Sequence, residues 1–141
     1  MQVKEVMSSK PEYLDFNATI QDAARKMKEK GVGSVPIGKN DKLVGMLTDR
    51  DIAIQVVAEG KAYNEKVGNI AKKDVLYCFE NDDVKAVLQN MKDQQVQRLI
   101  VLKDKEHKDF VGIVTVADIA NKCADDADLS QAIAECSRHY H

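Results

Sequence analysis

The sequence predicts a mixed α/β (α+β) fold made of two similar β-α-β-β-α repeats followed by a C-terminal helix. Apolar residues recur at an offset of 64 positions, as in Val3 and Val67 or Met27 and Met91. Short apolar runs typical of strands alternate with stripes at helical spacing. The pattern Gly-x-x-Thr-x-x-Asp also occurs twice, at residues 45–51 and 112–118. Agreement at so many positions indicates an internal duplication.

The first repeat contains a short helix, a short strand, a long helix, a hairpin and a final helix. The predicted bounds are 3–7, 13–16, 20–30, 32–37 with 42–47, and 49–60. Residues 17–19 offer cap chemistry for the long helix, and Gly31 and Gly33 close it. The hairpin turn is predicted from its glycine, asparagine and aspartate content.

The second repeat has the same order of elements. Its predicted bounds are 67–70, 75–79, 98–102 with 110–114, and a long helix whose apolar stripe spans 84–91, and the last strand leads into a helix. A longer hairpin loop at 103–109 raises the offset to 67, as from Thr48 to Thr115. We therefore divide the chain into repeat 1 (1–62), repeat 2 (63–125) and a helical tail (126–141) whose apolar stripe is Leu129, Ile133, Cys136 and Tyr140.

Two repeats of this size cannot each bury both faces of a three-stranded sheet. A pseudo-two-fold arrangement in which one sheet faces the other covers them. At 141 residues the chain is long enough for such a core without metal or disulfide staples. We expect the three cysteines, few and odd in number, to be reduced thiols of a cytoplasmic protein.

Composition argues against two classes of partner. The formal net charge of −2 gives no basic excess for binding nucleic acid. No apolar run approaches the roughly 18 residues that a membrane span needs, and residues 1–5 lack the apolar core of a signal peptide. We therefore expect no nucleic-acid partner and no membrane association.

Each repeat places a threonine and an aspartate three residues apart where a strand becomes a helix. Thr48 with Asp51, and Thr115 with Asp118, are close to a capping box, which is a purely structural interpretation. Such a helix start is also an anion site, and an aspartate there can accept hydrogen bonds from a ribose diol. Capping and binding are compatible.

The repeat resembles the CBS domain, named for cystathionine β-synthase, and the chain resembles a tandem CBS pair, or Bateman module. The resemblance covers about residues 1–125 and rests on Val6-Met7, on residues 32–37 and on the two Gly-x-x-Thr-x-x-Asp junctions. It is particularly close to short bacterial CBS-pair proteins of the hypoxic-response type, which share the run at residues 45–52.

The resemblance implies that an adenosine-containing ligand binds in the cleft between the repeats: AMP, ADP or ATP, with NAD or S-adenosylmethionine as alternatives. The aspartate holds the ribose and the threonine approaches the phosphate. The residues implied for the first pocket are Met46, Thr48, Asp49, Arg50, Asp51, Leu76, Gln97 and Arg98. Those implied for the second are Glu12, Gly33, Ser34, Ile113, Thr115 and Asp118.

The two pockets differ in charge. Arg50 and Arg98 give the first pocket two cations for a phosphate, whereas the second has Ala117 and Ser34 at the matching positions. Arg98 begins an apolar run, where an unpaired charge is costly; a phosphate or a local carboxylate, Asp51 or Asp93, would satisfy it. We expect the first pocket to bind a charged nucleotide and the second to be weaker.

The sequence gives little support for a metal site or a catalytic site. Cys136, His139 and His141 have the side chains of a zinc site but lack a fourth partner nearby, so a helical tail is the favoured interpretation. No serine or cysteine nucleophile lies near a histidine, and no phosphate-binding glycine loop is present. We therefore predict no enzyme and no metal.

The predicted function is a regulatory module that binds adenine nucleotides and transmits a conformational change to a protein partner whose identity the sequence does not give. The resemblance also implies a homodimer. The alternative is a ligand-free module for protein interaction or dimerisation, suggested by the apolar stripe of the tail.

Overall fold

The computed structural model describes residues 1–9, 12–40, 42–107 and 109–138. Seven strands and five helices are described in this part of the chain. The strands are β1 (Ser8–Ser9), β2 (Leu14–Asp15), β3 (Ser34–Lys39), β4 (Lys42–Thr48), β5 (Tyr77–Phe79), β6 (Arg98–Leu102) and β7 (Phe110–Thr115). The helices are α1 (Ile20–Lys30), α2 (Asp49–Asp51), α3 (Val84–Gln94), α4 (Val116–Lys122) and α5 (Ala127–Cys136).

The chain forms two compact units. The terminal unit comprises Met1–Pro11 and Leu76–His141, and the central unit comprises Glu12–Val75. These units are not the same segments as the sequence repeats. The first residues of each repeat pack with the body of the other repeat's segment: Val3 and Val6 lie in the core of the terminal unit, while Val67 and Ile70 lie in the core of the central unit.

The central unit has a three-stranded sheet in the order β2-β3-β4, with β2 parallel to β3 and β3 antiparallel to β4. The terminal unit has a four-stranded sheet in the order β1-β7-β6-β5, in which only the β5–β6 pair is parallel. This architecture confirms the predicted mixed α/β class and the predicted order of strands and long helices within each repeat.

Side-chain caps mark the starts of α1 and α3, and a glycine marks the end of α1. Thr19 caps α1 by accepting from the Asp22 amide at 3.1 Å, and Gly31 ends the helix in the left-handed conformation with φ of 64°. Asp83 caps α3 by accepting from the Lys85 amide at 3.1 Å. Most of the apolar stripe of each helix is buried, with Ala23 and Met91 each 0% exposed, whereas Ala24 of the predicted stripe is exposed.

Two predicted helices form, but with a different length or helix type. The short helix predicted at residues 3–7 is a 3₁₀ helix at Val3–Glu5, and the chain then extends into β1, which pairs with β7. The helix after the first junction is not uniform, because α2 continues as a π-helical segment at Ile52–Val57. Four of its six residues are β-branched, which lowers their preference for regular α-helix.

One contact recurs in both units and requires a glycine. A Cβ added to Gly45 would lie 2.7 Å from the backbone oxygen of Lys72, and one added to Gly112 would lie 2.6 Å from the oxygen of Ser8. Lys72 and Ser8 are themselves 64 residues apart. The start of each repeat therefore lies against the hairpin strand that leads into a Thr-Asp junction.

Candidate functional site

The first junction forms where β4 runs directly into α2. The Thr48 hydroxyl accepts a hydrogen bond from the Asp51 amide at 3.0 Å, and the Asp51 Oδ2 accepts one from the Thr48 amide at 2.9 Å. The second junction repeats this geometry, with both reciprocal bonds between Thr115 and Asp118 at 3.0 Å. The capping-box interpretation is therefore confirmed at both junctions.

Asp51 is the one buried charged residue in the described part of the chain, at 4% exposure. Its Oδ2 serves the cap. Its Oδ1 lies 3.5 Å from the Gln55 side-chain nitrogen and 3.6 Å from the Lys72 ammonium. A buried carboxylate with a long contact on one oxygen retains capacity to accept further hydrogen bonds.

The sequence analysis missed Lys72 and Gln55. Gln55 follows Asp51 by four positions on the helix, so its spacing was a usable signal. Lys72 is brought in by tertiary structure, because both its amide and its carbonyl bond to Met46. The match between Lys72 and Ser8 in the 64-residue repeat was the only indication that its position could matter.

Asp49 and Arg50 lie at the exposed start of α2. Asp49 Oδ1 accepts from the Arg50 amide at 2.8 Å, and the Asp49 amide donates to the Gly33 oxygen at 2.9 Å. A Cβ at Gly33 would lie 3.0 Å from Asp49 Oδ2. Gly33 was predicted for the second pocket; the structure places it against the first junction, within the central unit.

Arg98 has an unsatisfied donor. Its Nε is buried and has no hydrogen-bond partner among the described residues, and no described carboxylate of the terminal unit forms an ion pair with its guanidinium. Asp93, a carboxylate considered as its partner, instead accepts from Gln89 at 2.9 Å. In the sheet register Arg98 lies opposite Thr115, as Ser34 lies opposite Thr48.

The remaining predicted site residues lie at strands or at the surface. Met46 and Ile113 occupy matching positions, opposite Lys72 and Ser8 respectively. Leu76 is 39% exposed. Glu12 pairs with Lys26 at 3.2 Å, and the hydrogen bond from Lys26 lowers the pKa of Glu12 below its usual value.

Gln97 links the second junction to the tail. Its backbone oxygen accepts from the Val116 amide at 2.9 Å, at the start of α4. Its side chain donates to the Ser137 carbonyl at 3.3 Å, just after α5. Of the predicted tail stripe, Leu129 and Cys136 are buried in the core of the terminal unit, while Tyr140 lies outside the described residues.

The described cysteines are buried and unpaired. Burial raises the pKa of the Cys78 thiol to about 12, which makes it a poor nucleophile. No group of three or more histidine, cysteine, aspartate or glutamate side chains that could hold a metal occurs among the described residues. His139 and His141, which were considered as zinc ligands and not favoured, lie outside them. None of the described helices combines the length and the apolarity needed to cross a membrane.

Comparison with known proteins identifies the family. The CBS domain model matches twice, at residues 3–57 and 67–125. The chain belongs to the CBS domain family. This confirms the resemblance drawn from the two junctions and establishes that the chain carries a tandem pair of these domains. CBS pairs are generally regulatory, and some of their structures hold adenosine ligands.

Individual relatives support the assignment. Hypoxic response protein 1 of Mycobacterium tuberculosis is 36% identical over 136 residues, which is 95% of this chain and 93% of that protein. The crystal structure of Hypoxic Response Protein I with two coordinated zinc ions has a TM-score of 0.74 at 35% identity, covering 86% of this chain and 98% of its own.

A further solved structure shows a bound ligand class. The CBS domain pair of protein MJ0100, in complex with 5′-methylthioadenosine and S-adenosyl-L-methionine, has a TM-score of 0.78 at 28% identity. The match covers 89% of this chain and 97% of that one. CBS pairs of this overall fold therefore include proteins that bind adenosine derivatives.

Proposed function

We propose that the protein is a cytoplasmic regulatory module that binds an adenine nucleotide of the AMP, ADP or ATP class at its Thr-Asp junctions. Family membership and the adenosine derivatives held by a CBS-pair neighbour support the adenosine part. The buried Asp51, with its second oxygen only loosely occupied, supports a role in holding the ribose hydroxyls.

The observation that carries the nucleotide assignment is the unpartnered Nε of Arg98. A buried donor without a partner costs roughly 1–3 kcal/mol, and more when it belongs to a charged group. A phosphate supplies acceptor oxygens and the negative charge that a guanidinium prefers. 5′-Methylthioadenosine has no anionic group, and the one carboxylate of S-adenosylmethionine is outweighed by its sulfonium and ammonium charges, which favours phosphorylated nucleotides over both.

Isothermal titration with AMP, ADP, ATP, NAD, S-adenosylmethionine and 5′-methylthioadenosine tests the proposal. We expect heat of binding with at least one of the 5′-phosphorylated nucleotides and weaker or no binding of the two sulfur compounds. The absence of heat with every compound, at protein concentrations well above ~100 μM, would contradict nucleotide sensing. Any binding missed under these conditions would have a Kd above ~100 μM, which corresponds to a binding free energy of less than about 5.5 kcal/mol.

Variants then assign the sites. We expect Asp51→Ala to weaken the first site and Asp118→Ala to spare it. Arg98 was predicted to serve the Asp51 site, although within the terminal unit it lies opposite Thr115. Titrating the Arg98→Ala, Asp118→Ala double variant measures the effect of Arg98 on affinity at the Asp51 site. Titrating the Arg98→Ala, Asp51→Ala double variant measures it at the Asp118 site. Equal losses from Asp51→Ala, Asp118→Ala and Arg98→Ala at a single site would contradict the proposed difference between the two pockets.

The output of the module is proposed to be a shift in conformation that is read by a partner protein, with the module acting as a homodimer. Apolar side chains on the π-helical segment support a self-association surface: Ile54 is 50% exposed and Val57 is 70% exposed. We expect Ile54→Glu with Val57→Glu to lower the molecular weight found by light scattering. An unchanged weight would remove this surface from the proposal.

The alternative function, a ligand-free interaction module, depended on the apolar stripe of the tail. Leu129 and Cys136 of that stripe are buried in their own unit, so this part of the stripe is not available to another molecule. The exposed Ile54 and Val57 keep the alternative open for a different surface. A dimer that forms without any nucleotide binding would favour it.

A further inference from the structure

Lys72 is positioned beside the buried Asp51 by backbone contacts. Its amide and carbonyl both bond to Met46, at 2.9 and 3.0 Å, and its carbonyl occupies the space next to the hydrogen of Gly45. From this fixed backbone the side chain reaches Asp51 Oδ1 with an Nζ–Oδ1 distance of 3.6 Å. The backbone contact with β4 therefore fixes the point from which the Lys72 side chain reaches Asp51.

The ion pair joins a buried acid to a lysine that is largely in water. The Asp51 side chain is 5% exposed and the Lys72 side chain is 55% exposed. A ligand hydroxyl that reaches Oδ1 must arrive next to this ammonium. Because the lysine stem is long and flexible, the ammonium can leave Oδ1 and contact another anion on the same side.

The second junction lacks this lysine. The residue that matches Lys72 in the first repeat is Ser8, which lies beside Gly112 as Lys72 lies beside Gly45. No ion pair to Asp118 is found among the described residues, whereas Asp51 has one. The two junctions thus differ in the residue that lies beside the glycine, Lys72 at the first and Ser8 at the second, in addition to the difference between Arg50 and Ala117.

We propose that Lys72 selects 5′-phosphorylated nucleosides over neutral nucleosides at the Asp51 site. A ribose diol that takes Oδ1 displaces the ammonium from Asp51. A neutral nucleoside leaves that ammonium without an anion, whereas a nucleotide offers it the phosphate. The difference in free energy between the two ligands therefore depends on Lys72. This inference rests on the proposed binding of adenine nucleotides.

The test measures AMP and adenosine affinities by isothermal titration in an Asp118→Ala background, which isolates the Asp51 site. We expect Lys72→Met to weaken AMP by about fivefold, the effect of one partly exposed ion pair, while adenosine binds as well as before or more tightly. Lys72→Arg should retain the preference for AMP. The AMP affinity should also fall with added salt in the parent and less so in Lys72→Met.

Two controls separate selection from a change in folding. Lys73→Met removes the same charge from the adjacent exposed residue and should leave both affinities unchanged. Ser8→Lys in an Asp51→Ala background should raise the ratio of AMP to adenosine affinity at the Asp118 site, because it installs the lysine at the matching position.

Each outcome decides the question. Equal weakening of AMP and adenosine by Lys72→Met, or no change in either, would overturn selection by Lys72 while leaving nucleotide binding intact. If the parent binds AMP but Asp51→Ala does not weaken it, the proposed site at Asp51 fails, and the selection fails with it. If the parent binds neither ligand, nucleotide sensing fails as a whole.

Discussion

At the scale of single residues, each junction uses one threonine and one aspartate to cap the start of a helix. The threonine hydroxyl and the aspartate carboxylate satisfy backbone amides at a helix start. At the first junction the carboxylate is also buried beside a lysine. Its cap uses Oδ2, so Oδ1 is the oxygen that Lys72 contacts and that a ligand hydroxyl takes in the proposed function.

The capping bond gives a prediction for stability. Thr48→Ala and Thr115→Ala each remove a hydroxyl acceptor and leave an amide without its partner. Each should lower the free energy of unfolding by about 1 kcal/mol, measured by urea denaturation. Thr48→Ser and Thr115→Ser retain the acceptor and serve as matched controls, so a serine variant as unstable as its alanine counterpart would argue against the cap.

At the scale of elements, α5 is attached to α3 by one ion pair and by buried side chains. Lys92 Nζ lies 2.6 Å from Glu135 Oε2, and the Cys136 thiol donates to the Leu88 carbonyl at 3.4 Å. The hydrogen bond with Lys92 lowers the pKa of Glu135, and the same bond raises the pKa of Lys92. Both directions favour the charged pair.

The attachment of α5 should depend on pH in a defined direction. Because the pKa of Glu135 is lower in the folded protein than its ordinary value of 4.5, its contribution is present above that value and is lost as the pH falls through the folded pKa. We expect Glu135→Gln to lower the Tm at neutral pH. The difference from the parent should shrink on acidification, and a difference that grows would contradict the assignment.

The reactivity of the Cys136 thiol provides a measure of how firmly α5 is attached to α3. It is 0% exposed, and burial raises the pKa of its thiol, so a thiol reagent should modify it slowly in the native protein. Lys92→Met should speed this modification several-fold, as measured by mass spectrometry of the peptides, because loosening α5 exposes the thiol. Cys78, buried in β5, is the internal control and should not change.

At the scale of the molecule, the first residues of each repeat belong to the compact unit that is completed by the other repeat. Val3 and Val67, matching residues of the two repeats, are both 0% exposed in their respective cores. Each unit therefore contains residues of both repeats. The strand β1, which completes the sheet of the terminal unit, comes from the start of the chain.

This arrangement predicts that matching substitutions in the two cores lower the free energy of unfolding by similar amounts. Val3→Ala and Val67→Ala each leave a small cavity in a closed core and should lower the free energy of unfolding by about 2 kcal/mol. Lys4→Ala and Lys66→Ala, adjacent exposed positions, provide controls and should change it by less than about 0.5 kcal/mol. A negligible effect of Val3→Ala in chemical denaturation would show that the N-terminal residues do not belong to the core.

The sequence by itself determined the duplication, the order of the long helices and hairpin strands, both Thr-Asp junctions and the family. These are encoded locally, because caps, glycines and apolar periodicity act between residues a few positions apart. Only the tertiary structure decided that Ser8–Ser9 forms a strand, that Lys72 lies beside Asp51 and that Arg98 Nε has no partner among the described residues. Each depends on residues that are distant in the chain and meet only when the core closes, and two-residue strands are too short to leave a periodic signal.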